Sequence, residues 1–257
     1  MQRTRVESYG VTDKGTVRPI NEDQFVIEDD LGLLVVADGM GGHQAGEVAS
    51  QTAVEVIVTF VRRTAEDGEC TWPFGIDPAI SFDGNRLRTA IALANRRVFR
   101  LSESQDGYTG MGTTVAGALL GERRAVIGHV GDSRVYLWSA GRLVRLTNDD
   151  TWAASLIANR SADPESIKHH PMRNVLTNVV GVREDVAVHL SEIDLQEGDA
   201  LLLSSDGVHG VLDDADILRV LGETPFAEVP GALVKAALDA GSRDNVTAVL
   251  ARYRGDQ

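Results

Sequence analysis

The sequence predicts an α+β fold in which a sandwich of sheets is covered by helices. Strand-like and helix-like stretches are segregated along the chain instead of alternating. A run of short, β-branched segments between glycine-containing turns reads as an antiparallel meander. Helical stretches fall in two pairs, one between the strand groups and one before the last strand.

The elements follow in order. "RVESYGVTDKG" reads as a strand entering a turn, and "QFVIEDDLGLLVVAD" as two strands joined around Asp29–Gly32. "AGEVASQTAVEVIVTFVRR" has helical spacing, with Val48, Val54, Val58 and Val61 near one face. The stretch 66 to 84 is irregular, and its Trp72, Pro73 and Phe74 are expected to pack locally. Asp83–Gly84 and Asp106–Gly107 read as ordinary turns. "NRLRTAIALANRRVFRLSES" is a second amphipathic helix, apolar along Leu87, Ile91, Ala94 and Val98. "TTVAGALL", "RAVIGHVG", "SRVYLWSAG" and "RLVRLTND" form the meander. Residues 150 to 180 read as helix and loop. "VAVHLSEIDL" and "ALLLSSDG" are strands, "DDADILRVLGE" and "EVPGALVKAALDAG" helices, and "NVTAVLARY" a closing strand.

The bulk properties bound the function. The 257 residues suit one large domain, taken here as a single domain over 1–257, and they suffice for a sizeable core. Lys plus Arg is 25 against 38 for Asp plus Glu, a net charge of −13. Nucleic acid is therefore not the expected partner, because phosphate backbones select for surplus Lys and Arg. The single cysteine, Cys70, excludes an intrachain disulfide and a multi-cysteine zinc site. The N-terminal stretch lacks a signal-peptide core, and no window approaches the ~20 apolar residues of a membrane span. A cytoplasmic protein with no membrane partner is expected.

The chemistry lies in acids at the ends of apolar runs. Asp38 follows "LLVVA" and precedes Gly39; Asp132 follows "AVIGHVG"; Asp206 follows "ALLLSS" and precedes Gly207; Asp244 stands just before the last strand. A single Asp–Gly pair is an ordinary turn. Four such acids terminating core strands point elsewhere. Clustered carboxylates repel and raise one another's pKa, so they remain ionised only around a cation. Hard oxygen donors of this kind suit Mg²⁺ or Mn²⁺. Glycine beside such an acid lets backbone approach closely enough for a carbonyl to join the donor set. In "VVADGMGGHQAGEVAS", a hydrophobic strand runs into a carboxylate and then into Gly39, Gly41, Gly42 and Gly46.

Eight segments, in order, resemble the metal-dependent protein serine/threonine phosphatases of the 2C class in their bacterial single-domain form. They are "RPINEDQF", "VADGMGGHQAGEVAS", "GTT", "GDSRVY", "LTNDD", "NVLTNVVG", "LLLSSDG" and "GSRDNVTAVL", and they span residues 18 to 250. The resemblance implies a four-layer α/β/β/α sandwich and a centre of two Mn²⁺ or Mg²⁺ ions, with a third possible. It implies that Asp38 bridges two ions and that the Gly39 carbonyl binds one of them. It places Asp206 and Asp244 on the other ion and Asp132, with Asp206, at the third. Arg18 would clamp the substrate phosphate and Glu22 would orient water. A water between two cations has a lowered pKa and attacks phosphorus directly. The resemblance thus implies hydrolysis of phosphoserine and phosphothreonine in proteins, opposition to a cognate Ser/Thr kinase, and a monomer.

The chain departs from the family pattern in two places. Many relatives carry His directly after the Asp–Gly pair, where this chain has Met40; His43 is the nearest candidate general acid. A motif that commonly ends Asp–His ends here in Asp149–Asp150. Residues 150–180 correspond to the flap beside the site. A binding-only relative would be expected to lack the metal acids or the arginine, and this chain keeps Arg18, Asp38, Asp206 and Asp244. A hydrolase of small phosphoesters is the other alternative, and substrate preference separates it.

Overall fold

A computed structural model describes residues 6–42, 44–66, 70–159, 163–167 and 170–255. The chain begins with β1 (Val6–Asp13), β2 (Asp23–Glu28) and β3 (Leu33–Met40), followed by helices α1 (Ala45–Glu66) and α2 (Phe82–Ser104). The meander is β4 (Gly112–Thr113), β5 (Val115–Leu120), β6 (Arg124–Val130), β7 (Arg134–Ser139) and β8 (Arg142–Arg145). Short helices α3 (Trp152–Ala158) and α4 (Pro164–Ile167) lead to β9 (His189–Asp194) and β10 (Ala200–Ser204). The chain then forms α5 (Asp206–His209), α6 (Asp214–Glu223), α7 (Val229–Asp239) and β11 (Val246–Tyr253).

The strands form two antiparallel sheets, ordered β1-β11-β10-β7-β8 and β2-β3-β5-β6-β9, with β4 paired to β3. Strand alternation decides which side chains meet between them. Leu34, Val36, Ala118 and Ile127 of one sheet pack against Val135, Leu201, Leu203 and Val249 of the other. The alternate residues Leu33, Val35, Val115 and Val126 face α1 and α2. Leu202, Ala248 and Leu250 face α6 and α7 in the same way. The result is the expected α/β/β/α order of layers, with a core on each side of each sheet.

Three local expectations need correction. Of the expected valine stripe only Val61 is fully buried; the buried face of α1 is otherwise Ala45, Gly46, Ala49, Ser50, Ala53, Ile57 and Phe60. Small residues let the helix lie close to the sheet, and Val48, Val54 and Val58 pack on its flanks. Asp83–Gly84 is no turn: Ser81 caps α2 by accepting from the Gly84 N–H at 2.9 Å, and both residues belong to the first helical turn. Third, β3 continues through Asp38 to Met40, because β4 pairs Gly39 with Thr113 and Met40 with Gly112. Asp38 therefore lies within a strand instead of ending one. Trp72 packs edge-on against Phe60 and Phe82, and Arg96 lies over the Phe74 ring at 4.2 Å, so this cluster closes the helix layer.

Candidate metal centre

The acids gather where the two sheets part. The β2–β3 register places Asp23 opposite Asp38. Asp132 sits in the turn from β6 to β7, Asp206 begins α5 after β10, and Asp244 precedes β11. Strands from both sheets thus deliver their polar ends to one edge of the sandwich, where the sheet-to-sheet core stops.

Backbone contacts fix the central strand. The Asp38 N–H donates to Thr114 Oγ1 at 3.0 Å, and its carbonyl accepts from the Thr114 N–H and Thr113 Oγ1, each at 2.9 Å. The Gly39 N–H donates to the Glu22 carbonyl at 3.1 Å. A Cβ on Gly39 would collide with the Gly46 carbonyl and stand 2.7 Å from the Glu22 carbonyl oxygen. Gly39 and Gly46 therefore let β3, the Glu22 loop and the start of α1 converge at one point. Asn245 holds the same loop from the other sheet. Its Oδ1 accepts from the Glu22 N–H at 2.8 Å, and its Nδ2 donates to the Lys14 and Ile20 carbonyls at 2.9 Å each.

The electrostatics are those of a crowded anionic cluster. Burial, reinforced by Asp23, Asp206 and Asp132, pushes the Asp38 carboxyl well above the usual carboxylate range. Burial lifts Asp23 to about 7, against the hydrogen bonds it accepts from Thr247 Oγ1 at 2.6 Å and Ser205 Oγ at 2.8 Å. Burial and then Asp206 raise Asp132 to about 7; burial and then Asp244 raise Asp206 to about 6. Burial also raises Glu22, with Arg18 opposing. Among the described residues, three buried carboxylate oxygens have no hydrogen-bond partner: Glu22 Oε1, Asp23 Oδ1 and Asp206 Oδ1. Unpaired buried carboxylate oxygens are costly and rare in folded proteins.

Arg18 Nη2 lies 2.6 Å from Asp244 Oδ2 with about half of its side chain exposed, so the expected phosphate arginine borders the cluster and pairs with one of its acids. Among the described residues, no group of three or more Asp, Glu, His or Cys side chains forms a finished metal cage. The acids are near enough to shift one another's ionisation but are not drawn onto a common point. His43 lies outside the described residues.

Sequence reasoning passed over Asp23 and Asn245. Asp23 is only 1% exposed and faces Asp38. Its signal was an acid opening a strand inside the quoted "NEDQF", beside the more conspicuous Glu22. The supporting layer was also hidden. Asp149 receives a bidentate pair from Arg134, at 2.9 and 2.7 Å, which outweighs its burial and holds its pKa below the usual range. Asp150 joins three segments. Its Oδ2 accepts from the Gly131 N–H at 3.0 Å and from Asn178 Nδ2 at 2.7 Å. Its Oδ1 lies 2.9 Å from His189 Nε2, and the His189 ring stacks on His129. The residue that replaces the family's histidine is thus met by a histidine from β9.

Known proteins share this fold. A family model described as protein phosphatase 2C matches residues 18–251. The serine/threonine phosphatase stp of Listeria monocytogenes is 33% identical over 93% of this chain and 92% of its own length. The crystal structure of the serine/threonine phosphatase Stp1 from Staphylococcus aureus superposes with a TM-score of 0.85 at 35% identity, covering 99% of this chain and 97% of that one. A crystal structure of the catalytic domain of the phosphatase PstP, in complex with two manganese ions, superposes at 0.79 with 32% identity, covering 97% and 98%. The chain belongs to the protein phosphatase 2C family of metal-dependent serine/threonine phosphatases.

Proposed function

We propose that this chain removes phosphate from phosphoserine and phosphothreonine in proteins, at the carboxylate cluster around Asp38, with two Mn²⁺ or Mg²⁺ ions. The observation that carries the assignment to this site is the set of unpartnered buried carboxylate oxygens on Glu22, Asp23 and Asp206, beside carboxyls raised to about 6 and 7. Such a donor set is all hard oxygen and over-supplied with negative charge, which fits divalent cations of this type. Asp38, Asp206 and Asp244, with the Gly39 carbonyl, would hold the two ions, and Asp132 with Asp206 a third. The ions supply an activated water and neutralise charge on the phosphoryl oxygens.

The protein's own groups do the rest. Arg18 stands half-exposed at the mouth, where its planar guanidinium suits bidentate contact with a phosphoryl group. Glu22 Oε1 is buried beside Gly46 without a hydrogen bond of standard geometry, which leaves it placed to accept one from water and fix its direction of approach. His43 is the candidate to protonate the departing serine or threonine oxygen. In-line attack needs no covalent enzyme intermediate, and Cys70 has no part in it. We further assign the chain a single-domain, monomeric, cytoplasmic role that reverses a cognate Ser/Thr kinase.

The test is release of phosphate from a phosphothreonine peptide by the purified protein, in EDTA, Mg²⁺ or Mn²⁺, with a nucleotide monophosphate as competing substrate. Metal-dependent release that favours the peptide supports the reading. Preference for the nucleotide would replace it with hydrolysis of small phosphoesters.

A further inference from the structure

Away from the cluster, α1 and α2 enclose a groove of about 550 Å³. Each helix contributes residues at i, i+3, i+4 and i+7, the spacing of one helical face. These are Val56, Thr59, Phe60 and Arg63 on α1, and Leu93, Arg96, Arg97 and Arg100 on α2. Val56, Phe60 and Leu93 form an apolar floor, and four guanidinium groups surround it. Glu55 also lines the groove, with its Oε1 accepting from Gln51 Nε2 at 3.0 Å.

The groove gathers four arginines on one face; elsewhere among the described residues, arginines occur both with and without a carboxylate pair. Arg18, Arg62, Arg86, Arg88, Arg124, Arg134, Arg219 and Arg254 each pair with a carboxylate. None of Arg63, Arg96, Arg97 and Arg100 does so among the described residues, and Arg96 instead stacks on Phe74. Like charges one turn apart weaken a helix, yet α2 carries Arg96 and Arg100 in that relation. In a chain of net charge −13, an acidic partner is repelled by most of the surface and steered to this face.

From charge complementarity and the apolar floor, we propose that this groove docks an acidic, leucine-anchored helical segment of the phosphoprotein substrate. The proposal rests on the phosphatase reading of the cluster. Gly46, at the cluster, and Phe60, on the groove floor, lie on the same helix about four turns apart, or ~21 Å. An extended linker of about seven residues spans that distance.

The experiment uses the full chain and two probes. The first is a labelled, unphosphorylated 20-residue peptide of Asp and Glu with two leucines four residues apart, followed by fluorescence anisotropy at low and high salt. The second is a pair of phosphothreonine peptides, one carrying that segment after an eight-residue linker. Wild type is expected to bind the labelled peptide saturably, more weakly at high salt, and to show a KM at least 5-fold lower for the extended substrate at equal kcat. In the double variant Arg97→Glu/Arg100→Glu, at two exposed positions, binding and the KM advantage should vanish while turnover of the short peptide is unchanged. Equal KM for the two peptides, or an advantage that survives the double variant, overturns the proposal. Saturable binding without a KM advantage also overturns it, because the occupant would then be a regulator and not a substrate. Failure of both phosphopeptides to turn over would instead reject the phosphatase reading, and the anisotropy would still report on docking.

Discussion

At the scale of single residues, the cluster around Asp38 gathers repelling carboxyls, and on the proposed function a cation would relieve that repulsion. Asp38→Asn removes the charge at its centre. Turnover is expected to fall by at least ~10²-fold, as when a principal electrostatic stabiliser of the transition state is lost. In EDTA the same variant should melt at or above the wild-type temperature, because one repelling carboxylate has gone. A large loss of metal-free stability would show that Asp38 is structural. The pH dependence follows in sign. Asp23, Asp132 and Asp206 titrate at about 7, 7 and 6 in the fold but near 4 when unfolded, so between pH 4 and 7 the fold binds more protons. Their contribution to stability is therefore lost as pH rises through that window. His209 works the other way: burial holds it to about 3, so stability is lost as pH falls below ~6.5. Measuring the Mn²⁺-induced rise in Tm from pH 5.5 to 8 cancels His209, and the rise is expected to grow with pH as the carboxylates ionise. Arg18→Ala should raise KM for a phosphopeptide by roughly 10-fold or more, the worth of a charged hydrogen bond, with metal affinity little changed.

At the scale of elements, the cluster depends on backbone approach. Gly39→Ala places a methyl against the Gly46 and Glu22 carbonyls, which cannot swing away, and is expected to cost about 1–3 kcal/mol in urea unfolding. Asp150 ties the β6–β7 turn to the segment at Thr177 and Asn178, since its carbonyl also accepts from the Thr177 N–H at 2.8 Å. Asp150→Ala leaves the Gly131 N–H without its acceptor and Asn178 Nδ2 with only the Ala187 carbonyl, and should destabilise by about 2 kcal/mol. Asp150→Asn, which keeps one acceptor, should cost less.

The elements also show what the sequence makes legible. Strands and helices were readable because each has one apolar face at its own period, as with Leu87, Ile91, Ala94 and Val98, all fully buried. The buried face of α1 was misread because alanine and glycine carry little hydrophobic signal, although they allow the closest packing. The continuation of β3 past Asp38 depends on a two-residue partner, β4, some seventy residues away, and no local pattern announces such a pairing. Asp38, Asp132, Asp206 and Asp244 were legible as acids beside core strands. Asp23 and Asn245 were not, since what distinguishes them is a register and a set of backbone carbonyls that exist only in the folded chain.

At the scale of the whole molecule, two sheets pack face to face and leave their polar strand ends at one edge, so each acid reaches the cluster from a separately anchored strand or turn. Among the described residues no helix is long and apolar enough to cross a membrane. The net charge of −13 adds self-repulsion that cations at the proposed site would partly offset. The most direct measurement is calorimetric titration of Mn²⁺ into the metal-free protein at pH 7.5, run beside Asp38→Asn and Asp206→Asn, with phosphothreonine-peptide turnover recorded on the same samples. The expected result is at least two ions bound per wild-type chain, loss of binding in both variants, and turnover that rises with occupancy. Full Mn²⁺ binding and turnover in a folded Asp38→Asn protein would contradict the assignment of this cluster as the metal centre.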